Sequence, residues 1–291
     1  MVKTIGNPLT WTAGAVGSAG TYLADTTGRI GGKAAAAPPV IRDMTTDDIR
    51  IALRKGLDDF MALRSDVIFM CLLYPLIGLC LSLFTFNAHL APYLFPMASG
   101  FALIGPIGAV GLYEMSRLRE AGRPAGWGDA FALLRSPAIG PLVVMGLYLL
   151  LIFAMWMLCA RLIYTGTMGA EAPASVGAFL TDVFTTPQGR AMVLLGIPAG
   201  ALFALLVLTV SVVSIPMLVD RDVGLPTAVA TSLKVSRRNP KVIGLWGLIV
   251  AAGLLLGSIP LFLGLVIVMP VLGHASWHLY RRAVEPIPQP D

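Results

Sequence analysis

A chain of 291 residues that is 56% apolar and only 13% charged, with a mean hydropathy of +0.80, is too hydrophobic for an ordinary soluble domain. It reads as a polytopic, all-α membrane protein. The net charge of +5 does not point to nucleic acid, because the basic residues flank apolar segments and form no compact patch interleaved with aromatics; the expected partner is the lipid bilayer. The three cysteines, Cys71, Cys80 and Cys159, lie inside apolar segments without a CxxC pair, which argues for neither a disulfide framework nor a metal site.

Residues 1–41 are rich in Gly, Ala and Thr and hold no sustained apolar period, so they read as a loosely attached tail. The stretch Leu9 to Leu23, broken by Gly and Thr, supplies no signal-peptide core, and the tail is expected to be retained. The membrane domain is expected over 42–283, with 284–291 a second short tail. It opens on an amphipathic helix: Thr45 and Asp48 have capping-box spacing, and Ile49, Leu53, Leu57 and Phe60 recur every three or four residues. Arg50, Arg54, Lys55, Asp58 and Asp59 are assigned to its solvated face. Such a helix lies along the headgroup layer or packs on its own protein.

Val67 to Phe86 forms the first expected span, since 20 residues at about 1.5 Å each cover the ~30 Å hydrocarbon core. The second, Tyr93 to Glu114, lines Ala98, Ala102, Gly105 and Ala109 along one face with Gly108 and Gly111 beside it, a surface another helix can approach closely. A basic connection, Arg117 to Arg135, contains a second amphipathic stretch at Gly128 to Leu134 and leads into span three, Ala138 to Ala160. After the loop Thr165 to Gly189, span four runs from Ala191 to Val219 with Pro198 and Pro216 as expected kinks and a GxxxG at Gly196 and Gly200. A further basic stretch, Asp220 to Lys241, precedes a closing hairpin, Val242 to Ser258 and Leu261 to Tyr280, whose first arm carries a GxxxG at Gly253 and Gly257. All six glycines, Gly105, Gly108, Gly196, Gly200, Gly253 and Gly257, are expected at helix contacts.

Lys and Arg number eight in residues 1–66, four in 116–137, five in 220–241 and two after 280, while the opposite side holds only Arg161 and Arg190. The positive-inside rule then puts both termini and both basic connections in the cytoplasm.

Three units, about 45–118, 124–222 and 226–282, can be superposed as an amphipathic basic stretch followed by two spans, which suggests pseudo-repeats around an axis normal to the membrane. The motifs RKGLDDFMALRSD (Arg54 to Asp66), YPLIGL (Tyr74 to Leu79) and PVLGHASWHLYRR (Pro270 to Arg282) also resemble those of the uncharacterised bacterial integral membrane proteins carrying the domain of unknown function 2189. The resemblance implies an inner-membrane protein of Gram-negative type and brings no established activity or catalytic residues.

Polar candidates are few. His274 and His278 share a helix face, with Trp277 and Tyr280 beside them, and read as half of a metal site or as a packed pair at the interface. In the repeat register Glu114, eight residues after Pro106, matches His278, eight after Pro270, so the two are expected to face one another as an ionisable pair. No Ser/His/Asp set, HExxH, GxSxG or phosphate-binding glycine loop is present, and no motif implies a cofactor. The expected function is therefore non-enzymatic: a structural, assembly or accessory subunit among other membrane-protein subunits, with a transporter or channel for a small neutral or hydrophobic solute as the alternative.

Overall fold

The computed structural model describes residues 39–71, 76, 79, 80 and 88–286. Most of the first expected span lies outside these residues. In chain order the helices are α1 (Thr46–Cys71), a 3-10 turn (Ala88–Tyr93), α2 (Leu94–Gly108), α3 (Val110–Glu120), α4 (Trp127–Ala132), a 3-10 turn (Leu133–Arg135), α5 (Ile139–Thr167), α6 (Val176–Thr185), α7 (Pro187–Ser211), α8 (Ser214–Asp220), α9 (Leu225–Arg238), α10 (Pro240–Ser258) and α11 (Leu265–Ala283). Local chemistry sets their starts. Ser175 and Thr186 accept from the backbone N–H of Ala178 and Gly189 at the heads of α6 and α7, and prolines open α7, α9 and α10, where a missing N–H costs nothing. At α1 the Asp48 carboxylate accepts from the Thr45 backbone N–H at 2.7 Å, the half of the capping box that its spacing announces.

Four stretches are long and apolar enough to cross a membrane: Leu90–Glu120, Ile139–Thr167, Pro187–Asp220 and Pro240–Ser258. Among the described residues this falls short of the six expected. The sixth segment is helical but differs in kind: the second half of α11 is polar and packs inward against α1, α3 and α8 rather than outward. It matches α10 in length at 19 residues and packs along it, so the two still form a hairpin. The three expected amphipathic stretches are all helical but unequal: the first belongs to the long α1, the second to α4 and its 3-10 turn, the third to α9.

Span four is broken rather than kinked. Proline has no N–H and its ring crowds the carbonyl four residues back, so Pro216 prevents the helix from running through Val212, and α7 stops at Ser211. The hydroxyl of Ser232 on α9 enters the opening, accepting from the Val213 N–H at 3.2 Å and donating to the Thr209 carbonyl at 2.7 Å. Two backbone groups that would have bonded each other are satisfied by one buried side chain.

The buried face of α1 is rotated from the expected one. Ile49, Ala52, Gly56, Asp59, Phe60 and Leu63 are buried, whereas Leu57 is 47% exposed. Gly56 is the reason. A Cβ there would lie 2.6 Å from the Ala275 backbone nitrogen, so only glycine lets α1 and α11 approach this closely.

The six expected packing glycines divide. Gly200 faces the Trp156 ring, Gly253 faces Val268 and Leu272, and Gly257 meets Leu265 and Gly264. Among the described residues nothing lies within 4 Å of a Cβ at Gly105 or Gly196, so these two glycines are not close helix contacts there, although Ala109, on the same small-residue face as Gly105, is buried in the core. Gly108 is exposed, next to the short break between α2 and α3. The close approaches lie at positions the motif does not pick, among them Gly100 against Phe153 and Gly273 against Leu112.

The chain's basic stretches meet at one end. Ile41 and Val284 form an isolated antiparallel bridge, with the Arg42 N–H donating to the Ala283 carbonyl at 2.9 Å and the Glu285 N–H to the Val40 carbonyl at 3.0 Å. This pairing joins residues 40–42 to residues 283–285. Asn239, between α9 and α10, accepts from the Met44 N–H and donates to the Arg42 carbonyl, which fixes the same arm beside the start of α10. At the opposite end Ala91, Tyr164, Phe179 and Val183 make a small apolar cluster. The larger core, separate from that cluster, is filled by Met115, Met145, Leu149, Ile215, Met217 and Trp277.

Candidate functional site

The candidate site is a buried polar cluster at the basic end, where α1, α3 and α11 meet. Its centre is Asp59, only 4% exposed, which corrects its placement on a solvated face; Asp58 beside it is exposed as expected. A carboxylate this deep needs donors, because an unpaired buried charge costs several kcal/mol. Asp59 Oδ2 accepts from Ser116 Oγ on α3 at 2.6 Å and from His278 Nε2 on α11 at 2.8 Å, and Oδ1 accepts from the Arg119 guanidinium. Burial pushes the Asp59 carboxyl up, but the bonds from His278, Ser116 and Arg119 outweigh it and hold the group below the usual carboxylate range.

Ser116 has one proton and two neighbours. Its Oγ lies 2.7 Å from His274 Nδ1 as well as against Asp59. An ionised carboxylate only accepts, so Ser116 donates to Asp59 and His274 donates its Nδ1 proton to Ser116. His274 Nε2, in a fully buried ring, then carries a lone pair without a hydrogen-bond partner among the described residues. The order of groups is not that of a nucleophilic relay. There the acid orients the base, and the base bonds the hydroxyl; here Asp59 bonds the serine directly and the far nitrogen of His274 has no hydrogen-bond partner among the described residues. What the arrangement does is tie three helices through one charge.

A second layer of charge surrounds it. Tyr280 donates to Asp220 Oδ2 at 2.6 Å and accepts from Arg221 Nε at 2.9 Å, joining α11 to the end of α8. Arg281 reaches both Glu120 and Asp220, and Trp277 Nε1 donates to Glu120 Oε2 at 3.0 Å. Arg282 pairs with Asp48 at 2.6 Å, so the last turn of α11 is clamped to the first turn of α1. Burial pushes the Asp48 carboxyl up, while the Thr45 N–H and Arg282 bring it below its ordinary value.

His274, Trp277 and His278 are thus brought together with α3 and α1. Glu114 is buried at the same end but bonds Arg117, one turn along its own helix, at 2.6 and 2.7 Å, while His278 bonds Asp59. Among the described residues no group of three His, Cys, Asp or Glu side chains converges as metal ligands. Sequence reasoning missed Asp59, Ser116 and Asp220. For Asp59 a signal was available: it continues the line Ala52, Gly56, Leu63 at steps of three and four, and an acid on a small-residue seam marks a buried partner.

Residues 94–220 match the family model of the predicted integral membrane proteins known as DUF2189. The matched stretch runs from the start of α2 to the end of α8 and thus holds Ser116, Arg119, Glu120 and Asp220, while the motifs at Arg54–Asp66 and Pro270–Arg282 lie outside it. Neither a curated protein nor a solved structure matches the chain.

Proposed function

We propose that this integral membrane protein is a non-enzymatic structural, assembly or accessory subunit of a larger complex in a bacterial inner membrane, with both termini cytoplasmic. One observation carries the reading: where α3, α5, α8 and α11 meet, the interior is filled by Met115, Met145, Leu149, Ile215, Met217 and Trp277, each less than 2% exposed. A solute path requires a polar vestibule or a wide cavity in such a place, and these side chains occupy it. Among the described residues no comparable observation favours the alternative, a transporter or channel for a small neutral or hydrophobic solute. The outward faces of the spans are broad and apolar, with Leu147, Leu151 and Leu158 on α5, Leu194 and Leu202 on α7 and Leu248 and Leu255 on α10 exposed. They suit lipid and the apolar helices of partner subunits alike. The gathering of the basic stretches at one end supports the orientation, and the α10–α11 hairpin supports a reading of three hairpins with a first span at Val67 to Phe86.

The test is purification of the tagged full-length chain from native membranes in a mild detergent, followed by mass spectrometry of the bound proteins. A subunit retains at least one stoichiometric partner. A chain that purifies alone and moves a neutral solute across proteoliposome membranes would overturn the proposal in favour of the alternative.

A further inference from the structure

A groove of about 490 Å³ opens on the outer surface between the α2–α3 junction, α4 and α5. Among the described residues, every side chain lining it is apolar. Ile107, Gly111 and Phe131 line one part of it, and Val143, Gly146 and Leu150 recur along a single face of α5. A Cβ at Gly146 would have the Ile107 side chain as its nearest neighbour, at an ordinary 3.7 Å, so the groove passes between these two residues.

Its depth and its charge say what fills it. It follows α5 from Ile139 to Leu150, about 16 Å at ~1.5 Å per residue, which is the depth of one leaflet of a ~30 Å hydrocarbon core. Its mouth is at the basic end, where the chain enters α5 from the arginine-bearing connection. There Arg135 follows the lining residue Leu134, is exposed and forms no ion pair with a described residue. An apolar slot one leaflet deep, with an exposed guanidinium beside it at the headgroup level, fits a single acidic phospholipid, its acyl chain along α5 and its phosphate at Arg135. We propose that this groove is a binding site for one anionic phospholipid of the leaflet on the basic side.

The experiment is native mass spectrometry of the delipidated full-length protein in detergent, titrated with phosphatidylglycerol and, separately, with phosphatidylcholine of the same acyl chains. One phosphatidylglycerol should remain bound at activation energies that strip the rest. Gly146→Phe and Val143→Trp should remove that adduct by filling the slot; Val143 is already half exposed, so its variant tests the slot even where the buried substitution disturbs folding. Arg135→Gln should cut the preference for phosphatidylglycerol over phosphatidylcholine by about fivefold, the contribution of one basic residue near an anionic headgroup. Leu194→Trp, on the exposed face of α7, should leave the adduct intact. Retention of the adduct in Val143→Trp, equal retention of both lipids by the parent, equal loss in Leu194→Trp, or a protein helix in the groove in place of lipid would each overturn the assignment.

Discussion

Asp59 shows how a single residue decides where a helix sits. A helix with Arg50, Arg54, Lys55 and Asp58 on one side has an obvious solvated face, and Asp59 is adjacent to it in sequence. A step of one residue turns a helix by about 100°, enough to carry Asp59 into the seam that Gly56 opens. Its charge is compensated there by Ser116, His278 and Arg119. Charge-assisted hydrogen bonds are worth about 1.5–3 kcal/mol each, and the buried partners lose theirs when the carboxylate is removed. Asp59→Asn should therefore lower the thermal midpoint in detergent well beyond Asp58→Asn, which should melt like the parent. The pH dependence has a definite sign. Because the folded Asp59 carboxyl titrates below its ordinary value, its contribution is fully present above the unfolded carboxylate pKa of about 3.9 and is lost as pH falls through the folded value. The gap in melting temperature between the parent and Asp59→Asn should be constant through neutral pH and close only below about pH 4. A gap that closes between pH 6 and 8 would mean that another group governs the cluster.

At the level of the element, composition proved a poor guide to which glycines are contacts. GxxxG marks a surface that permits close approach; whether a neighbour takes it up depends on where the next helix crosses. Gly200 is taken up by Trp156, whose indole N–H is committed to the Pro96 carbonyl at 3.0 Å and to Ser99 Oγ at 3.1 Å and so cannot move aside. Gly200→Leu should cost ~1–3 kcal/mol by overpacking, and Gly56→Leu should loosen α1 from α11, because its obstacle is backbone. Gly105→Leu and Gly196→Leu, with open space around them, should be tolerated. Thermal melts of the four variants check this, and a Gly105 variant as damaged as the Gly200 one would place a partner helix on that face. The break at Val212–Val213 was half legible: Pro216 announces an interruption, but that Ser232, far along the chain, fills it depends on the tertiary fold.

In the molecule as a whole, what was legible was what hydrophobicity and charge impose on every segment independently. The apolar runs, the helical character of the amphipathic stretches and the gathering of the basic segments at one end each follow from local composition. The polar cluster was not legible, because it depends on which faces meet. Glu114 and His278 occupy matching places after Pro106 and Pro270, yet each finds a partner outside that register, Arg117 one turn away and Asp59 on α1. A repeat inferred from spacing predicts equivalent depth, and bonding is then settled by whichever donor the neighbouring helix presents.

In the proposed orientation the basic segments share the cytoplasmic side of the membrane, which would make the polar cluster at Asp59 a cytoplasmic cap. Cysteine placed at Ala174, exposed between α5 and α6, or at Ala121, exposed between α3 and α4, tests it in a background lacking Cys71, Cys80 and Cys159. On intact spheroplasts an impermeant thiol reagent should label Ala174→Cys at once and Ala121→Cys only after lysis. Labelling of Ala121→Cys on intact cells, with Ala174→Cys protected, would contradict the orientation, and labelling of both from outside would contradict the membrane topology itself.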